Sequence, residues 1–233
     1  MVEIGRRPVR SWPAGTLLSV LGEPDRQDLL AIGTPRRLAR GDALIREGEV
    51  GDDVFVIVEG CTKVSGDTYD GRTTLLAVRV PGDIVGEFAA LDGGRRSATV
   101  VACAPTVVRS VGRGAFDSYL ATHPAADHAV RRSIVAKLRQ ATRLRVDAGG
   151  SAAEVRLARL LTYLSEVYGR PVADGRLIDV PLSQTELAAM AGVSVPSVQR
   201  AMAVLRRRGL VVPGYRRLVV RGDIDPSAPV PPA

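Results

Sequence analysis

PGDIVGEFAALDGGRRSATV, residues 81–100, is the stretch from which the rest of the chain is read. It carries Gly82, Gly86, Gly93 and Gly94, a carboxylate at Glu87, and then Arg95, Arg96, Ser97, Ala98 and Thr99. Glycine lets a backbone approach a ligand closely and turn its N–H groups toward an anion. A guanidinium beside a hydroxyl holds a phosphate by charge-assisted hydrogen bonds. A carboxylate in the same loop repels phosphate and suits a neutral donor such as a ribose 2′-OH. Opposite chemistries within one short loop fit a nucleotide. A glycine-rich hairpin with solvated charges fits the same composition, and composition alone does not separate the two.

The flanks say what carries this loop. From about Thr34 to Val111, short apolar runs (Ala43–Ile45, Val54–Val58, Leu75–Val80, Ala98–Ala102, Val107–Val111) alternate with turns such as Arg40-Gly41-Asp42, Glu59-Gly60, Asp70-Gly71 and Pro81-Gly82-Asp83. Many short strands with closely spaced glycine turns predict a compact antiparallel barrel or sandwich, with the loop held between two strands. Residues 1–15 read as loose. Leu17 to Ile32 reads as two short helices broken at Gly22-Glu23-Pro24, and Gly114 to Thr122 as another.

His123-Pro124 opens a long helix running to about Val146. Val130, Ile134, Leu138, Ala141 and Leu144 recur along it at the heptad-like spacing of a two-helix seam. Arg131, Arg132, Lys137, Arg139, Arg143 and Arg145 lie mostly off that seam. A single amphipathic helix packed on its own barrel is the simpler alternative. A dimer is favoured because so long a helix overhangs a small barrel. Asp147-Ala148-Gly149-Gly150-Ser151 reads as a hinge, beyond which Leu157, Leu160, Leu161 and Leu164 form the first helix of a second domain.

In that domain, Ser183 with Glu186 three residues on is a capping box, so a helix starts there and stops at Gly192. Ser194 caps the next helix, and Pro196 falls in its first turn, where a missing N–H costs nothing. Two short helices joined by Ala191-Gly192-Val193 predict a helix-turn-helix, whose second helix enters a DNA major groove. A hairpin from Val211 to Val220, turning at Pro213-Gly214, makes it a winged version. Arg200 and Gln199 are candidates for base edges, since Arg reads guanine and Gln adenine bidentately. Gln184, Thr185, Ser194, Ser197 and Arg217 are candidates for phosphates. Arg206, Arg207 and Arg208 serve a helix C-terminus as well as they would serve DNA.

Composition bounds the function. The chain has 233 residues, 45% of them apolar, enough for two domains each with a core. A net charge of +7 and a pI of about 10.1 lean toward an anionic partner. Cys61 and Cys103 are the only cysteines and read as two buried thiols; a disulfide framework, a zinc site and an iron–sulfur cluster are not expected. His123 and His128 lack the spacing that puts two metal ligands on one helix face. No apolar run approaches the roughly 18 residues of a membrane span, and no signal-peptide core is present, so a cytoplasmic protein without membrane contact is expected. No nucleophile–base pair, metal set or Walker loop suggests an enzyme.

Gly86-Glu87-Phe88 followed by Arg96-Ser97-Ala98 resembles the phosphate-binding cassette of cyclic-nucleotide-binding domains. The resemblance implies that Glu87 takes the ribose 2′-OH. Arg96 and Ser97 then take the cyclic phosphate, with the backbone of Gly86 and Phe88 and the neighbouring Ala98 assisting. A barrel with this cassette, a long helix and a winged helix-turn-helix resemble the cyclic-AMP receptor protein/FNR family of bacterial transcription regulators along nearly the whole chain. That implies an α+β fold: residues 1–122 an N-terminal antiparallel β-roll (jelly-roll-like) with flanking helices, 123–148 the dimerisation helix and hinge, 149–223 the DNA-binding domain, and 224–233 a disordered tail. It also implies a homodimer on a palindromic double-stranded DNA operator, RNA polymerase as a further partner, and a cyclic nucleotide as effector with no metal, haem or iron–sulfur cluster. Cyclic AMP is the expected nucleotide and cyclic GMP the alternative; a ligand-independent regulator of the same fold is the other.

The sequence departs from the family in two places. The early recognition-helix Glu that reads cytosine is replaced by Pro196, and the Arg before it by Val195, while the later Arg is kept as Arg200. The DNA site is therefore expected to differ from the usual half-site. The two adjacent hydroxyl residues that meet adenine correspond to Ala141 and Thr142, so Thr142 alone remains for the base.

Overall fold

The computed structural model describes residues 12–69, 71, 73–150, 152–214, 217–222 and 224. Its first half is a roll of two four-stranded antiparallel sheets. One has the order β1 (Thr34–Leu38), β8 (Thr106–Val111), β3 (Val54–Glu59), β6 (Ile84–Val85). The other has the order β2 (Ala43–Ile45), β7 (Thr99–Ala102), β4 (Thr62–Asp67), β5 (Thr73–Arg79). The period-two alternation of a strand explains why β3 is apolar throughout. Phe55 and Ile57 point inward to Val85, Val100 and Val108 of the roll, while Val54 and Val56 point outward. There they meet α1 (Leu17–Val20), α2 (Glu23–Ile32), α4 (Arg113–Thr122) and the start of α5 (Pro124–Gly150), in a second core built on Leu17, Leu18, Leu29 and Phe116.

The second half is a three-helix unit, α6 (Ala153–Tyr168), α7 (Gln184–Ala191) and α8 (Val195–Arg207), on a sheet ordered β11 (Val211–Gly214), β12 (Arg217–Val220), β10 (Gly175–Ile178), β9 (Gly169–Val172). Leu157, Leu161 and Leu164 of α6 meet Leu187 of α7 and Val198 and Leu205 of α8 in its core. Leu75, Val78 and Val80 of the roll belong to that same core.

The five expected strands, two N-terminal helices and α4 are all present. Several expectations change. Strands β1, β4, β6, β9 and β10 were not expected, because TPRRL, TKVSGD and GRPV lack an apolar alternation and are held by pairing with β8, β7 and β10. The long helix does not stop near Val146: its backbone is helical through Gly149 and Gly150, and of the expected hinge only Ser151 lies outside the described residues. Pro213 and Gly214 are not the wing's turn but the end of β11, paired with Leu218 and Arg217; Tyr215 and Arg216 lie outside the described residues. Of the segment 1–15 expected to be loose, residues 1–11 lie outside the described residues, whereas Trp12 packs on the second core. Of the tail, Ile224 is buried in the DNA-binding unit, and 225–233 lie outside the described residues.

The cysteines are not two separate thiols. Strands β4 and β7 are antiparallel with Thr62 opposite Ala102, so Cys61 and Cys103 form the next pair along the ladder. The Cys103 N–H donates to the Cys61 carbonyl at 2.9 Å, the Cα atoms are 5.7 Å apart, and the two sulfurs are joined.

Candidate ligand pocket and nucleic-acid interface

The cassette is built between β6 and β7. Gly86 has φ +85°, and a Cβ there would lie 2.7 Å from both the Asp53 carbonyl and the Arg96 guanidinium, so only glycine fits. The chain then turns into α3 (Glu87–Asp92), leaves it at the left-handed Gly93, and returns past Arg95 and Arg96. The Arg96 N–H donates to the Glu49 carbonyl at 3.0 Å, and the Gly48 N–H to the Arg96 carbonyl at 2.8 Å. Backbone clamps thus fix the arm that carries the guanidinium. Arg96 is 7% exposed; its Nη1 donates to the Gly86 carbonyl at 3.0 Å, and its Cζ stands 5.8 Å from the Phe55 ring centre. Burial lowers its pKa, against the pull of Asp53, Asp52 and Glu49.

Six of the seven expected ligand residues, Gly86, Glu87, Phe88, Arg96, Ser97 and Ala98, line one open cavity of about 80 Å³ with Ile45, Val64, Arg79, Val85, Ala89, Val100 and Lys137. One water needs roughly 10–15 Å³ of such volume, so the cavity has room for several water-sized groups beside Arg96 and Glu87. Thr142 is exposed on α5 and is not among the lining residues.

The sequence reading missed the charges beneath the cavity. Glu87 is 3% exposed, and its Oε1 accepts from Lys137 Nζ at 2.6 Å; the same ammonium donates to the Ile84 carbonyl at 2.8 Å. Burial lowers the Lys137 pKa, against the attraction of Glu87. Asp83, buried alongside, has its pKa raised by burial, although Arg79 and Lys137 oppose the rise. For Arg79, burial works against the cation, but Tyr168, Asp83, Tyr163 and Glu87 outweigh it and raise its pKa. A hydroxyl that reaches Glu87 Oε1 would therefore share or displace the Lys137 ammonium.

On the second unit, α7 and α8 meet at a 100° bend, within the usual range of a helix-turn-helix. The Ser183 hydroxyl accepts from the Glu186 N–H at 3.2 Å, and Glu186 accepts from the Ser183 N–H at 2.8 Å, completing the capping box. Ser194 caps α8 through the Ser197 N–H, and its hydroxyl lies 2.9 Å from that of Ser197. Gln184, Thr185, Gln199 and Arg200 are exposed. Gln199 Nε2 donates to Gln184 Oε1 at 3.2 Å, tying the two helices, and Arg200 donates to the Ser197 hydroxyl at 3.1 Å. The Arg217 side chain lies outside the described residues.

The expected dimer seam does not stay together on one free face. Val130 is 1% exposed and Ile134 packs beside it in the chain's own second core, while Leu144 packs on the DNA-binding unit. Leu138, at 65% exposed, and Ala141 remain open, and Val135 and Val146 join them as exposed apolar residues of α5. No described single helix is long and apolar enough to cross a membrane, and no described cluster of His, Cys, Asp and Glu has a metal-site arrangement.

Residues 35–123 match the cyclic nucleotide-binding domain family, and residues 155–223 match the Crp-like helix-turn-helix domain family. The chain is 30% identical over 185 residues to the transcriptional regulator LdrP of Thermus thermophilus, across 78% of this chain and 90% of that protein. It is 28% identical over 177 residues to the CRP-like cAMP-activated global transcriptional regulator of Mycobacterium tuberculosis, across 76% and 79%. The structure of FixK2 from Bradyrhizobium japonicum shares the fold, with a TM-score of 0.70 at 23% identity over 82% of this chain and 94% of that one.

Proposed function

The chain belongs to the cyclic-AMP receptor protein/FNR family of transcription regulators, with a cyclic-nucleotide-binding domain and a DNA-binding helix-turn-helix rather than an enzymatic site, and from that premise we propose that cyclic AMP in the roll controls its affinity for DNA. The observation that supports this most is Arg96, buried and clamped beside Gly86, with Ser97 and Glu87 lining the same cavity. In this reading Arg96 and Ser97 bind the cyclic phosphate, and Glu87 takes the ribose 2′-OH in exchange for Lys137. The regulator described in Mycobacterium tuberculosis is cAMP-activated, which favours cyclic AMP over cyclic GMP.

The protein acts as a cytoplasmic homodimer through the exposed stripe of α5 around Leu138. Its two recognition helices sit about one turn of DNA apart, roughly 34 Å, on a palindromic operator. Arg200 and Gln199 read base edges while Gln184, Thr185, Ser194 and Ser197 bind phosphates, and the bound dimer meets RNA polymerase.

Calorimetric titration of the purified protein with cyclic AMP and, separately, cyclic GMP tests the ligand. Micromolar binding of cyclic AMP is expected, with cyclic GMP weaker; no binding of either refutes the assignment. Anisotropy titrations on DNA across a salt series test the second site, and specific binding whose log affinity rises linearly as log salt falls is expected.

A further inference from the structure

The chain has two lysines, Lys63 and Lys137, among 32 basic residues. Each pairs with a glutamate and a backbone carbonyl. Lys137 does so inside the cavity. Lys63, on β4, does so across the boundary between the two units: its Nζ donates to the Pro181 carbonyl at 2.7 Å and to Glu186 Oε1 at 2.5 Å. The other carboxylate oxygen of Glu186 completes the capping box of α7. The group that starts the helix-turn-helix is therefore anchored on the roll. A slender ammonium suits that narrow bridge better than a planar guanidinium.

Arg79, on β5, makes a second polar bridge. It lines the cavity, and its Nη1 donates to the Val78 carbonyl at 2.9 Å and to the Tyr168 hydroxyl at 3.1 Å. Tyr168 is the last residue of α6. Around these bridges, Leu75, Val78 and Val80 share one apolar core with the DNA-binding unit. The β4–β5 hairpin is a seat for that unit, and Arg79 faces the cavity on one side and the seated unit on the other.

We infer that this seat is a coupling device, in which the Arg79–Tyr168 contact makes the pose of the DNA-binding unit and the occupancy of the cavity depend on each other, with Lys63–Glu186 holding the unit in register. The inference rests on the cavity taking a phosphate-bearing ligand. Such a ligand brings a negative charge and a hydroxyl that competes for Glu87, and both act on the same buried charges that hold Arg79. A ligand that binds two poses unequally shifts their balance, and the effect on DNA binding is reciprocal by linkage.

Zero-length carbodiimide cross-linking of the full chain, followed by peptide mass spectrometry, reads the seat directly. A Lys63–Glu186 amide is expected, and it is lost in Lys63→Met. Tyr168→Phe then removes one hydroxyl and keeps the ring. Its affinity for cyclic AMP in the absence of DNA stays within twofold of wild type. The ratio of DNA affinities with and without cyclic AMP, on a duplex selected from a random pool by the wild-type protein, falls at least threefold toward one. A merely structural tyrosine would leave that ratio alone. No Lys63–Glu186 cross-link, or an unchanged ratio in both Tyr168→Phe and Lys63→Met, overturns the inference. Wild-type protein that fails to bind cyclic AMP strikes the functional reading as well, whereas normal binding with an unmoved ratio strikes the coupling alone.

Discussion

Arg96→Ala is the perturbation whose effect follows most directly from the geometry. The guanidinium is already buried, aimed and held by the Gly86 carbonyl and the clamped backbone of its own arm, so binding a phosphate does not require ordering it. A hydrogen bond to a charged group contributes about 1.5–3 kcal/mol, and about 1.36 kcal/mol is a factor of ten. The variant should therefore bind cyclic AMP about 10- to 150-fold more weakly by calorimetry at physiological salt. Arg95→Ala is the control. It removes the same charge from the adjacent position, but Arg95 is exposed and, among the described residues, its side chain bonds only the Gly48 carbonyl, at 2.8 Å. If long-range attraction were the whole effect, the two variants would weaken binding alike. The reasoning predicts less than a threefold loss for Arg95→Ala. Affinity of Arg96→Ala within threefold of wild type, or equal losses in both variants, would refute it.

Gly86→Ala places a Cβ against a backbone carbonyl at a φ of +85°; left-handed backbone alone costs about 1–2 kcal/mol, so urea denaturation of the roll should shift by at least that much and cyclic AMP affinity should fall with it. Leu138→Arg substitutes a residue that is 65% exposed and should leave chain stability within about 0.5 kcal/mol while sedimentation velocity shows the dimer converted to monomer; a persisting dimer would remove α5 from the interface. The pKa of His123 is raised by the Tyr119 carbonyl and then by Asp28. Its stabilising contribution is therefore complete below the unfolded value near 6.5 and lost as pH rises through the higher folded value. The unfolding temperature should fall between pH 6 and 8 in wild type and flatten in His123→Gln.

What could be read from the chain and what could not divides along sequence separation. Gly86, Glu87, Arg96 and Ser97 sit within one loop, so their types and order carry the reading before any fold is known. The capping box of α7 and the Ser194 cap of α8 are equally local, and both helices begin where Ser183 and Ser194 stand. Lys137 and Arg79 were beyond reach because their partners are remote: Glu87 lies 50 residues from Lys137, and Tyr168 lies 89 from Arg79. The α5 seam divides between the chain's own cores and the exposed face for a related reason. A heptad pattern says that a helix has an apolar face but not what covers it, and here Val130 and Ile134 cover the chain's own core.

One sequence signal marks the two lysines, Lys63 and Lys137, though not their partners. In a chain that uses arginine almost everywhere it needs a cation, the two lysines are exceptions, and an exception asks for a reason that charge alone does not supply. Arginine's five donors in a fixed fork need a wide, planar acceptor, whereas an ammonium fits between one carboxylate oxygen and one carbonyl. Both lysines occupy such a slot, one at the buried Glu87 carboxylate and one under the cap of the helix-turn-helix. Replacing either by arginine would keep every formal charge and still force the slot open. Lys63→Arg and Lys137→Arg should thus perturb seat and cavity respectively, while arginine-to-lysine changes on the outer face of α5 do nothing measurable.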